Sequence, residues 1–289
     1  KLEKRFGTIV YRNLEFSDVK NKALSYKNTE INDILQSFQQ EYDWVSSLAQ
    51  QTLEKHARIY KAFQDIKEEN QLDALAVGCW PKYRLELEMV PCATIGRLNN
   101  EGIITACEGD VYGLLTMMAM RYITKEPTLL LDLSSIDEED QSALFWHCGI
   151  GCKKLAYQNK VWLNAHCNPG RVPGKGMVKA APAAEMIFDQ CDATFARFTK
   201  EGENLFLLSG SFQNQDKPSF DGTRGWVTNL KLNGEKISSR ELINTIMVQQ
   251  VQHHYAFAKG DITEIMLELA AWLDCKPLEK VSYHHYLQR

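Results

Sequence analysis

No stretch of this 289-residue sequence approaches the ~18 to 20 consecutive apolar residues needed to cross a bilayer, which excludes a spanning helix within it. The opening residues, Lys1-Leu-Glu-Lys-Arg-Phe6, lack both an initiator methionine and the apolar core of a signal peptide. They read as the continuation of a longer chain. There is little excess charge of either sign: the formal net charge is -4, so nothing electrostatic points to nucleic acid or an anionic membrane. Internal repeats and low-complexity tracts are also missing. A dense secreted disulfide framework is not expected either, because the eight cysteines are spread over a long chain and lie mostly in apolar runs or beside glycine. Buried reduced thiols in a cytoplasmic protein are the simplest expectation. With 44% apolar and 24% charged residues, the chain can form a sizeable core and about two modest domains.

Apolar residues recur at helical spacing from about Asn28 to Asn70, which predicts one or two amphipathic helices broken near Asp43. A strand is expected around Phe6-Gly-Thr-Ile-Val-Tyr11, a buried one over Leu72–Cys79 and a short one at Val161–Ala165. Asp137-Glu-Glu-Asp140 reads as a helix N-terminus, where acidic side chains suit the dipole. The texture changes at Asn168, where a turn-rich connection runs to Gly176. Beyond it, Ala193–Phe198, Leu205–Leu208 and Gly225–Leu232 alternate with turns such as Asn233-Gly234, the pattern of antiparallel strands. Helical patterns follow at about Ser239–Gln252 and Ile262–Leu273.

Two acids stand out. Glu108 ends the apolar run from Gly102 to Cys107, and Asp132 ends the run from Pro127. A helical stretch, Val111–Thr124, separates them. Strand, helix and strand in succession predict a parallel βαβ unit with both carboxylates at the carboxyl edge of one sheet, where open α/β sheets bind ligands. Such a pair suits a metal site, an acid/base pair, or both.

Six segments occur in order: Cys79-Trp-Pro81, Pro91-Cys92, Ala106-Cys-Glu-Gly-Asp110, Leu131-Asp132, His147-Cys-Gly149 and His253-His-Tyr-Ala-Phe257. Together they resemble the L-fucose isomerase/L-arabinose isomerase family, nearer its fucose branch, from about Asp73 to the C-terminus. The resemblance implies an aldose–ketose sugar isomerase, an intramolecular oxidoreductase acting on a free pentose, hexose or deoxy sugar through a cis-enediol. It implies Glu108, Asp132 and His254 as ligands of one divalent cation, usually manganese, with magnesium or cobalt as alternatives. His147 stands where the arabinose branch has a further ligand. Glu108 and Asp132 would both bind metal, and one or both would shuttle the proton. Trp226 is the implied aromatic wall and Gln250 the implied amide donor to a sugar hydroxyl, expected one helical turn before His254. A trimer or hexamer is implied, with a neighbour's N-terminal domain closing each site. That domain would precede Lys1, and a separate chain could supply it.

The chemistry asks for these residue types. Carboxylates and one imidazole suit a hard divalent ion; the ion stabilises negative charge developing on oxygen, and a nearby carboxylate can act as base. Two other classes fit parts of the pattern. One is a non-catalytic sugar-binding or regulatory relative. The other is a zinc-stapled interaction domain built from His147, Cys148, Cys152, His166 and Cys167, although their spacing is irregular. Gly170, Gly174 and Gly176 with Arg171, Lys175 and Lys179 can be read as a phosphate or sulfonate cradle, or more simply as an interdomain turn. The expected architecture is a Rossmann-like parallel α/β domain over 1–167 carrying the two acids. An antiparallel β-barrel-like domain with terminal helices over 168–289 would carry His254. The three ligands must then converge in space.

Overall fold

The helical periodicity of the first third yields α1 (Leu2–Phe6), α2 (Phe16–Ser25), α3 (Asn32–Glu41) and α4 (Gln50–Glu69), with a short 3-10 turn at Val45–Ser47 dividing the last two. A computed structural model describes residues 2–11, 14–172, 174–213 and 217–282; Pro173, in the turn-rich connection, lies outside them. Next come β1 (Ala74–Ala76), α5 (Cys92–Asn100), β2 (Ile104–Ala106), α6 (Val111–Thr124), β3 (Thr128–Asp137), β4 (Ser142–His147) and β5 (Trp162–Asn164). The remainder is β6 (Gly170–Val172), β7 (Gly176–Val178), β8 (Ala183–Ile187), β9 (Cys191–Thr199), β10 (Asn204–Phe212), β11 (Thr223–Leu232), β12 (Glu235–Lys236), α7 (Ser239–Gln249), β13 (His254–Lys259), α8 (Thr263–Trp272) and β14 (Lys276–Pro277).

Among the described residues, six antiparallel strands close into a barrel in the order β10-β9-β13-β3-β4-β11, and β11 pairs back to β10. Closure leaves no free edge within the ring. Its interior is aromatic. Phe145 on β4 stacks on Phe195 of β9 with centroids 3.6 Å apart, although those strands are not neighbours. Phe212 and Phe257 pack edge-on at 5.4 Å in the same interior. The outer face of β3 and β13 is covered by α6, whose Leu114, Met117 and Met120 pack with Leu130, Ala256 and Ala258. No helix among the described residues is long and apolar enough to cross a membrane.

Four expectations are corrected here. β3 does not join β2 in a parallel βαβ sheet. Among the described residues β2 pairs only with β1, in parallel, and β3 pairs antiparallel with β13 and β4. An apolar strand after a helix does not itself specify which sheet it enters, and here the barrel takes it. The barrel therefore draws β3 and β4 from before residue 168 and its other four strands from after it. Asp137–Asp140 is not a helix start but the β3–β4 hairpin turn, where Lys217 pairs with Asp137 and Asp140 at 2.6 and 2.7 Å. No strand forms over 6–11: Phe6 ends α1 and packs on Phe198, with ring centroids 4.9 Å apart. The 168–176 segment becomes the β6–β7 hairpin, and Lys175 in its turn pairs with Glu88 at 2.6 Å.

Two features of the α4–α5 layer carry predictions. Gly96 of α5 faces the backbone of Ile150 and Gly151, and a Cβ there would stand 2.3 Å from Gly151 O. Neither backbone can yield cheaply, so Gly96→Ala is expected to cost about 1–3 kcal/mol, read as a shift in the urea midpoint. His56 of α4 is fully buried, stacks on Phe38 and shares a 2.7 Å hydrogen bond with Thr94 Oγ1. Burial, with the Arg97 charge adding to it, holds its imidazole down to about 3 from an ordinary value of 6.5. Below about pH 6.5 the unfolded chain therefore binds a proton that the fold refuses. Stability is expected to fall as pH drops from about 6.5 toward 3, by up to ~1.4 kcal/mol per pH unit from this ring. Urea titrations across that range should show a flatter acid limb in His56→Gln.

Candidate metal centre

Strand periodicity puts the first two groups on one surface. Along β13, His254 shares its face with Ala256 and Ala258; along β3, Asp132 shares its face with Leu130. These residues line the side that α6 covers, and His254 and Asp132 are direct cross-strand partners. The register thus places an imidazole beside a carboxylate, with Asp132 Oδ1 3.5 Å from His254 Nε2.

The third group comes from the turn that starts α6. β2 ends at Ala106, and the Asp110 N–H donates to Cys107 O at 3.2 Å, closing a tight turn. Glu108 in that turn has φ 57°, a left-handed conformation that costs a non-glycine residue and recurs at functional sites. Gly109 follows at φ 68°. The turn brings the Glu108 carboxylate to the same ring nitrogen, with Oε2 3.7 Å from His254 Nε2.

Asp110 completes the arrangement, and its role was missed in the sequence. It caps α6 by accepting from the Gly113 N–H at 2.8 Å. Its carboxylate takes two bonds from Arg197 of β9, at 2.6 and 3.2 Å, and lies 3.1 Å from His254 Nδ1. Burial alone would raise this carboxyl, but the His254 and Arg197 hydrogen bonds and the Arg197 charge hold it well below its ordinary value. An ionised carboxylate only accepts, so Nδ1 must carry the proton, which leaves Nε2 of the neutral ring with a bare lone pair. Arg197 also donates to His254 O at 3.0 Å. The only sequence signal for Asp110 was its place in the Ala106–Asp110 segment just ahead of a helix.

These donors fit a divalent cation. Two donors each about 2.1 Å from one ion stand roughly 3.0 to 3.6 Å apart at bond angles of about 90 to 120°. The separation of Asp132 Oδ1 from His254 Nε2, 3.5 Å, lies within that range and that of Glu108 Oε2, 3.7 Å, just beyond it; the ligand atoms of Glu108, His253 and His254 all lie within 4.8 Å of one another. Asp132 Oδ1 is buried without a hydrogen bond, an acceptor that an ion would satisfy. Burial pushes both the Glu108 and Asp132 carboxyls above their ordinary values, against the opposing pull of nearby histidines. His253 is exposed, with Nε2 4.0 Å from Asp132 Oδ1 and its ring against that of His254. His147 is buried with an unpartnered Nε2, its ring centroid 6.3 Å from that of His254.

Two expected substrate residues stand differently. Gln250 is the exposed C-cap of α7, so the helix has ended before β13 begins and no helical turn links Gln250 to His254. Trp226 is buried, donates from Nε1 to Pro218 O at 3.0 Å and is overlain by Lys217. The aromatic residue cross-strand from Asp132 is instead Trp146. Trp146 and Phe220, with ring centroids 6.2 Å apart, line a cavity of about 510 Å³ with Ser134, Cys167, Asn168, Ser219 and Asp221.

No protein-family model matches the chain. Curated relatives do. The sulfoquinovose isomerase of Priestia aryabhattai is 30% identical over 225 residues, covering 78% of this chain and 48% of that protein. The sulfoquinovose isomerase of Clostridium sp. (strain MSTE9) is 27% identical over 270 residues, covering 93% and 57%. That of Alkalicoccus urumqiensis is 28% identical over 220 residues, covering 75% and 46%. The chain spans about half the length of the curated relatives it matches. These names support a sugar isomerase family that is related to, but not the same as, the fucose/arabinose isomerases whose motifs the sequence resembles.

Proposed function

We propose that this chain carries the metal centre and barrel of a metal-dependent aldose–ketose isomerase acting on a free sugar, with a sulfonated hexose of the kind named for its relatives as the first substrate to test. One observation carries this reading: His254 Nε2 faces Glu108 Oε2 and Asp132 Oδ1 at 3.7 and 3.5 Å while Asp110 fixes the other ring nitrogen.

Glu108, Asp132 and His254 would hold the ion, with manganese the first choice because hard carboxylates outnumber the imidazole. When bound, a divalent cation supplies Lewis-acid polarisation of a carbonyl oxygen. The protein's own groups do the rest. A carboxylate raised toward neutrality by burial can take the proton from C2 of the open-chain aldose and return it to C1, so Glu108 Oε2 and Asp132 Oδ1 are the atoms on which it would rest. Loss of the C2 proton with protonation of O1 would give the cis-enediol, and return of the proton to C1 on the same face with loss of the O2 proton would give the ketose. Asp110 and Arg197 keep the imidazole from turning as charge develops. Trp146 and Phe220 offer an apolar wall beside Asp132 for the C–H face of a sugar.

Proton exchange tests the assignment. The manganese-loaded full-length protein in deuterated buffer should place solvent deuterium on the carbon that receives the proton of sulfoquinovose and form the matching ketose, read by NMR. If neither sulfoquinovose nor any neutral aldose exchanges, while sugar binding is seen calorimetrically, the protein is a non-catalytic sugar binder.

A further inference from the structure

Beneath the carboxylate centre lies a second, chemically different cluster. Cys92 is the first residue of α5, Cys148 follows His147 at the end of β4, and His166 lies between β5 and β6. Their ligand atoms all fall within 4.8 Å of one another, and all three residues are buried. The geometry points to a structural zinc site at Cys92, Cys148 and His166, separate from the proposed isomerase centre and independent of whether that proposal holds.

Three observations support it. Two thiolates each about 2.3 Å from a tetrahedral zinc stand roughly 3.8 Å apart, and Cys92 Sγ and Cys148 Sγ are 3.8 Å apart. That is far too long for a disulfide and natural for two ligands of one ion. His166 is fully buried, and its Nε2 has no hydrogen-bond partner. Its other nitrogen, Nδ1, lies 3.0 Å from both Asn168 N–H and Asn168 O, so the Asn168 backbone holds the ring plane. Cys107 donates its thiol to Cys79 at 3.2 Å and stands outside this three-residue group.

The sequence had suggested His147, Cys148, Cys152, His166 and Cys167 for such a cluster. The fold keeps Cys148 and His166 but turns Cys152 toward Asn100 Oδ1 and Cys167 toward Cys148 O, and brings in Cys92 from 56 positions away. Donor chemistry separates the two sites. Sulfur with imidazole selects zinc, whereas carboxylates with one imidazole select a harder ion. A zinc here would tie α5, the end of β4 and the segment after β5 together, one residue along the chain from His147. Binding would release the two thiol protons to solvent.

The test is metal content and cobalt spectroscopy of the full protein. Elemental analysis after growth with zinc and manganese should find about one zinc per chain, retained in Glu108→Gln and His254→Ala and lost in Cys92→Ser/Cys148→Ser. Cobalt loaded in place of zinc should give an intense near-ultraviolet thiolate-to-metal band in the wild type and in His254→Ala. Folded wild-type protein with neither zinc nor that cobalt band overturns the proposal, without need of a variant. So does zinc that persists in the double cysteine variant or leaves only with His254.

Discussion

Glu108→Gln is expected to lower kcat for isomerisation by about 10³-fold, within the range for losing a positioned proton carrier, and to weaken manganese binding as well. Glutamine keeps the size of the side chain, so packing should survive. Glu108 is 41% exposed in its side chain, and its backbone bends through a left-handed turn set by Gly109 and the Asp110 cap rather than by the carboxylate. What is lost is charge and basicity. The carboxyl that burial raises toward neutrality becomes an amide, which can neither accept the C2 proton nor neutralise a divalent ion. The thermal midpoint should hold or rise slightly, because one of two nearby acids is gone; the Asp132 charge itself contributes to raising Glu108. Steady-state kinetics, a manganese titration and a thermal scan separate these effects. Activity within a few-fold of wild type would remove Glu108 from the proton path.

The largest expected effect on stability lies one layer back. Asp110→Ala should destabilise the fold by roughly 3–5 kcal/mol, the range for leaving one member of a buried ion pair alone. The Arg197 guanidinium is only 6% exposed, and Asp110 is its only ion-pair carboxylate among the described residues. The cap of α6 goes with it, a further cost of about 1 kcal/mol. Metal affinity should fall about 10- to 100-fold as well, because His254 loses the group that fixes its tautomer and ring plane. Asp110→Leu with Arg197→Met separates the two consequences. With no buried charge left unpaired, most of the stability should return, while weak metal binding should persist. Urea unfolding gives the first reading and a metal titration the second. If both recover together, Asp110 matters only as a structural residue.

Much of this was legible locally. The helical spacing of residues 31–66 gave α3 and α4 and the break near Asp43, and the alternating runs after 190 gave β9, β10 and β11. Glu108 and Asp132 stood out because strand ends are where chains present polar groups to a ligand, and His254 entered through the family resemblance. What the sequence hid was long-range. The membership of β3 depends on its antiparallel register with β13, more than a hundred residues later, so the two acids were first placed on a parallel sheet that does not form. Asp110 looked like a helix cap, and its work on His254 depends on Arg197, 87 positions away. Trp146 was invisible for the same reason: its place beside Asp132 is a cross-strand pairing, whereas Trp226 occupied the motif position but is covered by Lys217.

The central claim is that Glu108, Asp132 and His254 hold one divalent ion. Anomalous diffraction at the manganese edge, from crystals grown with manganese, measures this directly. The expected result is a single peak about 2.0–2.3 Å from a carboxylate oxygen of Glu108, one of Asp132 and Nε2 of His254. A manganese peak that leaves any of these three out of reach, or one found only elsewhere in the molecule, would contradict it.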